Sequence, residues 1–141
     1  IYLNGVLMGF KGCEIDAVIE DIIEFSELGR FIEAPVKTYS SGMYARLGFS
    51  IAIHLKRDIM LIDEVLGVGD TKFRRKCEKK IEELMEEGRT IVLVSHSMDS
   101  IKKFADQVIW LDRGMVRAKG SPKEVIEQYL AESKVKKQAP D

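Results

Sequence analysis

The most constraining feature is a pair of short apolar runs, Ile59 to Ile62 and Thr90 to Val94, separated by one amphipathic stretch. Within residues 71–87, Phe73, Cys77, Ile81 and Leu84 recur at helical spacing, and Gly88 marks the end. Short apolar runs bounded by turn residues read as strands buried on both faces, and a helix between two of them makes a βαβ unit. Its crossover is right-handed and its strands parallel, so both strands deliver their carboxyl ends to one sheet edge. Asp63-Glu64 and Ser95-His96 end the two runs and are thereby expected to meet, in the crevice where open α/β sheets place ligands. Two carboxylates, a hydroxyl and an imidazole there point to a phosphate-and-metal site. A hard cation takes one carboxylate, waters and phosphate oxygens, while a second carboxylate orients or deprotonates a water. Acidic residues at strand ends also simply cap the following turn, so topology alone leaves that alternative open.

The first 38 residues form a helical block, with Ile15, Val18, Ile19, Ile22, Ile23 and Leu28 on a core face and Gly29 as its stop. After Pro35, a Ser/Gly cluster stands directly before the apolar stretch that ends in IAIHL, so Ser40 or Ser41 is expected to cap a helix. Val108 to Leu111 and Met115 to Ala118, joined by Asp112-Arg113-Gly114, make an antiparallel hairpin. Ser121-Pro122-Lys123-Glu124 is a capping box with proline at its first helical position, opening a helix that is expected to run to about Leu130. The polar, Lys-rich tail reads as a linker or frayed end.

Composition narrows the function classes. The 141 residues carry 22 Lys+Arg against 23 Asp+Glu, a net charge of −1, which gives no overall call for nucleic acid. No apolar run approaches the roughly 20 residues that span a bilayer, and the opening IYLNGVLMGF lacks the basic flank and cleavage site of a signal peptide. Cys13 and Cys77 have no C-x-x-C spacing, so neither a disulfide framework nor a structural zinc site is expected, and a reducing compartment fits. His54, on an apolar helix, reads as a partly buried histidine with a local partner.

Three motifs in register, TYSSGMYAR, DIMLIDEVLGVGD and TIVLVSHSM, resemble the second half of the nucleotide-binding domain of ABC transporters, over nearly the whole chain. The YSSGM signature, the VLGVGD turn, FRRKC and the IWLDRG hairpin look like the exporters of O-antigen and teichoic-acid polysaccharides. The resemblance implies an α/β fold: part of a P-loop NTPase (RecA-like) parallel sheet, with the end of the ABC helical subdomain over residues 1–43, the ATPase core over 44–131 and a tail over 132–141. It implies an ATP-binding and ATP-hydrolysing subunit that uses Mg²⁺, pairs head to tail with a second such subunit and serves a transmembrane permease at the cytoplasmic face of the membrane. By the same resemblance Ser40, Ser41 and Gly42 bind the γ-phosphate of ATP held by the opposing subunit, Asp63 holds Mg²⁺ and Glu64 polarises the hydrolytic water. His96 contacts the γ-phosphate and Asp70 couples the subunits. Elementary physics agrees for the serines: a helix N-terminus presents unpaired amides and a positive dipole end to an anion. Ser41 stands where the family has glycine and Met43 where it has glutamine, so phosphate contacts carry over best at Ser40 and Gly42.

None of the eleven glycines completes G-x-x-x-x-G-K-[ST], and the first residue is isoleucine. The chain is therefore expected to be part of a larger product whose phosphate loop lies upstream, to turn over little ATP alone and to carry an incomplete sheet. Two other readings are a nontransport ABC ATPase, which would carry coiled coils before the signature, and a noncatalytic half-domain that lends its signature face in trans.

Overall fold

The computed structural model describes residues 1–55, 57–63 and 69–138. Contacts divide the chain into two units, Ile1–Val92 and Leu93–Asp141.

In the first unit the expected helical block is broken into α1 (Tyr2–Leu7), α2 (Gly12–Asp16) and α3 (Ile19–Ser26), followed by 3₁₀ turns at Gly29–Glu33 and Val36–Thr38. Local chemistry breaks the periodicity. Gly9 takes a left-handed φ of 85° after α1, and the Lys11 amide donates to the Glu14 carboxylate at 2.7 Å, starting a new helix. Helix α3 ends at Glu27, itself left-handed at φ 54°, two residues before the expected glycine stop. There the buried Ser26 hydroxyl donates to the Ile23 carbonyl at 2.8 Å and accepts the Leu28 amide at 3.4 Å, closing the helix from within. The apolar face is nevertheless core as expected: Ile15, Ile22 and Leu28 bury against Leu47, Ile51 and Leu55 of the following helix. Each such side chain contributes about 1.5–3 kcal/mol by leaving water.

That helix, α4 (Ser41–His54), begins with Ser40 as its cap, whose hydroxyl accepts the Met43 amide at 3.2 Å. A second cluster joins α3, α4 and α5 (Thr71–Glu86): Phe25 meets Phe49, Phe73 and His54 with ring centroids 6.4, 5.7 and 5.2 Å apart. All four expected core positions of α5 are buried, and burial pushes the Cys77 thiol up to about 12, leaving it an inert packing group. Cys13 is exposed.

Strands β1 (Ile59–Asp63) and β2 (Thr90–Val94) are hydrogen-bonded neighbours. The Thr90 amide donates to the Asp58 carbonyl at 3.0 Å, joining the starts of both strands, as parallel pairing requires. The expectation of burial on both faces fails. Met60 and Ile62 are buried, whereas Ile59 and Leu61 are 64% and 81% exposed. Among the described residues this sheet has two strands, and only one face is covered.

The second unit holds α6 (Met98–Phe104), the hairpin β3 (Val108–Asp112) and β4 (Met115–Gly120), and α7 (Pro122–Gln138). Arg113 and Gly114, at φ 51° and 77°, form the two-residue turn with both φ positive that matches strand twist. A bulge between Trp110 and Leu111 shifts the register from Trp110↔Ala118 to Leu111↔Val116. Ser121 and Glu124 form the expected capping box, with hydroxyl to carboxylate at 2.8 Å. Val125 and Ile126 are buried, and Tyr129 meets Trp110 edge-on at 5.4 Å. Helix α7 continues past the expected Leu130 to Gln138, because no glycine or proline interrupts AESKVKKQ and its residues are mostly good helix formers. No helix among the described residues is long and apolar enough to cross a membrane.

Candidate functional site

Of the expected site residues, Ser40, Ser41 and Gly42 form the first turn of α4 at the surface. Tyr39 fixes the approach: its hydroxyl donates to the Phe31 carbonyl at 2.8 Å, and its ring packs with Met43 against the core of the first unit. Met43 is thus an anchor of the turn. The amides of Ser41 and Gly42 have no acceptor within the helix, since the carbonyls they would need lie before its start. A Cβ on Gly42 would meet only the Ser40 hydroxyl, at 3.9 Å, so a side chain at this position has room. A helix end of this kind offers an anion unpaired amides and a positive dipole end from backbone alone.

Asp70 caps α5, its carboxylate accepting the Phe73 amide at 2.8 Å and an Arg46 guanidinium N–H at 3.0 Å. The amide bond, and then the Arg46 charge, hold its carboxyl below the usual carboxylate range. Arg46 also faces Glu27 at 3.6 Å and lies over the Phe73 ring at 4.7 Å. The Asp70 turn is thereby bound to α4, the helix that begins with Ser41. Arg46 escapes the sequence reading because Asp70 lies 24 residues away. Its only signal is that it follows Gly42 by one helical turn, on the same face.

Asp63 closes β1 as an exposed side chain. It takes no part in the bonds around Asp70. Glu64 lies outside the described residues. His96 belongs to the second unit, where it joins Ser95, Trp110 and Tyr129 among the walls of a cavity of about 350 Å³ lined mainly by apolar side chains. The Ser95 hydroxyl accepts the Ser97 amide at 3.0 Å. His54 behaves as expected of a packed histidine: its Nδ1 is 2.8 Å from the Ser50 carbonyl, and burial holds its pKa below the ordinary value. Among the described residues no group of three or more His, Cys, Asp or Glu gathers around a point. One exposed carboxylate at a strand end, as at Asp63, is the donor set Mg²⁺ uses when phosphate oxygens and waters complete its shell.

No family model matches the sequence. The chain is 56% identical over 129 residues to the teichoic acids export ATP-binding protein TagH of Lactococcus lactis, covering 92% of this chain and 28% of that protein. It is 47% identical over 129 residues to the O-antigen export system ATP-binding protein RfbB of Klebsiella pneumoniae, covering 92% and 52%. The chain thus spans between about a quarter and half the length of these relatives. In fold it matches the ATP-binding subunit of an ABC transporter with a TM-score of 0.77 at 21% identity, over 91% of this chain and 53% of the other. A dimeric ATP-binding cassette bound to ADP and Pi matches with 0.65 at 24% identity, over 81% and 50%. Along nearly all of its length the chain is thus similar to ATP-binding proteins of teichoic acids export and O-antigen export systems, and it shares the α/β fold of ABC ATP-binding domains.

Proposed function

We propose that this chain supplies the signature, Walker B and switch-histidine parts of an ATP-hydrolysing subunit for the export of a cell-surface polysaccharide such as O-antigen or teichoic acid. The observation that carries the reading is the start of α4: an exposed, serine-capped helix end with an open glycine, in a chain 56% identical to a teichoic acids export ATP-binding protein. In this reading residues 1–43 close the helical subdomain at the signature, 44–131 belong to the ATPase core and 132–141 form a tail.

The chemistry follows from the residues. Amides at Ser41 and Gly42, with the Ser40 hydroxyl, stabilise charge on the γ-phosphate of an ATP presented by a second, identical subunit. Asp63 is the carboxylate for Mg²⁺, which when bound neutralises charge on the phosphates. Glu64 orients the attacking water and accepts its proton, His96 donates a hydrogen bond to a terminal phosphate oxygen, and Asp70 fixes the neighbouring turn at the subunit junction. A transmembrane permease at the cytoplasmic face of the membrane is the partner that converts closure of the pair into transport.

Steady-state ATP hydrolysis by the full gene product carrying this chain tests the reading. Glu64→Gln is expected to bind ATP, to lower turnover by about a hundredfold or more and to elute as an ATP-bound dimer. Gly42→Asp, which has room for its side chain but places a negative charge in the cradle, is expected to lower turnover similarly with its melting temperature preserved. Hydrolysis within twofold of wild type in either variant, or none in the wild type, overturns the proposal.

A further inference from the structure

We infer that Arg46 is a positioning residue that ties the Ser40–Gly42 end of α4 to the Asp70 turn, so that occupancy of one is felt at the other. The inference rests on the function proposed above, since it assigns a link between two parts of that site.

The geometry is a chain of alternating charges within the first unit. Arg46 divides its guanidinium between two carboxylates, one nitrogen on Asp70 at 3.0 Å and the other on Glu27 at 3.6 Å. Glu27, at the left-handed end of α3, is shared with Lys76 at 3.1 Å, and Lys76 also donates to the Phe25 carbonyl at 3.1 Å. Lys76 belongs to α5, the helix that Asp70 caps, so the chain of contacts closes on itself through α3, α4 and α5. Arg46 is the only member on α4. Its side chain is 19% exposed and stacks on Phe73, which is fully buried and whose amide is the other group held by Asp70.

Stability alone is a poor explanation for this arrangement. Ion pairs with partners as open as Asp70, 65% exposed, are weak stabilisers. What the arrangement does supply is direction. A guanidinium is a flat fork that satisfies two carboxylates at a fixed angle, whereas an ammonium is a point charge that suits one. Arg46 lies one turn from Gly42 on the same face of a continuous helix, so a displacement of the helix start carries the guanidinium with it. Gly69 shows how tightly the turn is held: at φ 80°, a Cβ there would lie 3.1 Å from the Phe73 ring and 3.3 Å from the Arg46 Nε. Gly69 and Asp70 thus pack closely against the Arg46–Phe73 stack.

Steady-state kinetics of the full gene product tests this, with Arg46→Gln, Arg46→Lys and Glu64→Gln assayed together. Arg46→Gln is expected to lower kcat about tenfold while KM for ATP stays within about threefold, and Arg46→Lys to recover part of the loss. Hydrogen exchange is the second readout: in Arg46→Gln the Phe73 amide exchanges faster while the Ile51 and Leu55 amides keep their protection. A kcat equal to wild type in Arg46→Gln overturns the inference. So does a loss of activity accompanied by faster exchange throughout α4, which marks general unfolding. If Glu64→Gln leaves hydrolysis unchanged, the underlying reading of the site fails. If Glu64→Gln abolishes it and Arg46→Gln does not alter it, only the positioning role fails.

Discussion

Burial and a neighbouring carbonyl pull His54 in opposite directions, and burial wins. Desolvation beside Phe25 disfavours the imidazolium more than the Ser50 carbonyl favours it, with Lys80 adding repulsion, Asp21 an attraction and Lys76 a smaller repulsion. The folded pKa therefore lies below the unfolded value of 6.5. The unfolded chain takes up its proton first, so stability that is complete above that value declines as pH falls from 6.5 toward the folded pKa. The urea midpoint of the chain is expected to drop between about pH 7.5 and 5.5, and His54→Gln to flatten the drop; an unchanged slope would assign it to another group. At this scale the residues legible in the sequence are those whose partners are local. Ser40 and Asp70 each bind an amide three residues on, so the Ser/Gly cluster and the Asp before a helix already disclose them. Arg46 depends on Glu27 and Asp70, which come to it only when three helices have packed.

Elements followed the same logic. Helix α5 was legible because Phe73, Cys77, Ile81 and Leu84 keep one face buried from end to end, and all four are buried in the structure. The opening block was not, because its apolar spacing from Ile15 to Leu28 runs across the break between α2 and α3 and past the left-handed end of α3 at Glu27, which periodicity does not register. Helix α6 has no counterpart in the sequence reading: Phe104 alone is buried in it, and its Ser97 cap hydroxyl bonds Ser100, accepting the amide at 3.3 Å and the hydroxyl at 3.1 Å. In β1 and β2 the residue type was right and the environment wrong, because apolar runs specify a strand without specifying what lies above it. Within α4 one residue works against its own element. Gly48 sits in the helix interior where a Cβ would meet nothing within 4 Å. Gly48→Ala is expected to stabilise the chain by about 0.5–1 kcal/mol, read as a higher urea midpoint with an unchanged slope.

At the scale of the whole molecule, the described residues form two sheets whose apolar residues face outward in part. Leu61 in the first unit and Ile109, Leu111, Met115 and Val116 in the second are each more than half exposed. Exposed apolar strands of this kind favour self-association. The 141-residue chain alone is expected to sediment as a concentration-dependent mixture at tens of micromolar, and the double variant Leu61→Glu, Leu111→Glu to shift it toward monomer; a wild-type chain that stays monomeric contradicts this. How the two sheets are covered lay beyond the reach of the sequence, since periodicity reports a strand's own alternation and not its neighbours. The open faces also leave a thermal imprint. Apolar surface already wet in the folded state adds nothing to the heat capacity on unfolding, so the increment should fall below the about 1.7–2.1 kcal/mol/K typical of this length. The free energy of this chain is therefore a flat function of temperature: it gains little on mild cooling, and its approach to both cold and hot melting is gradual.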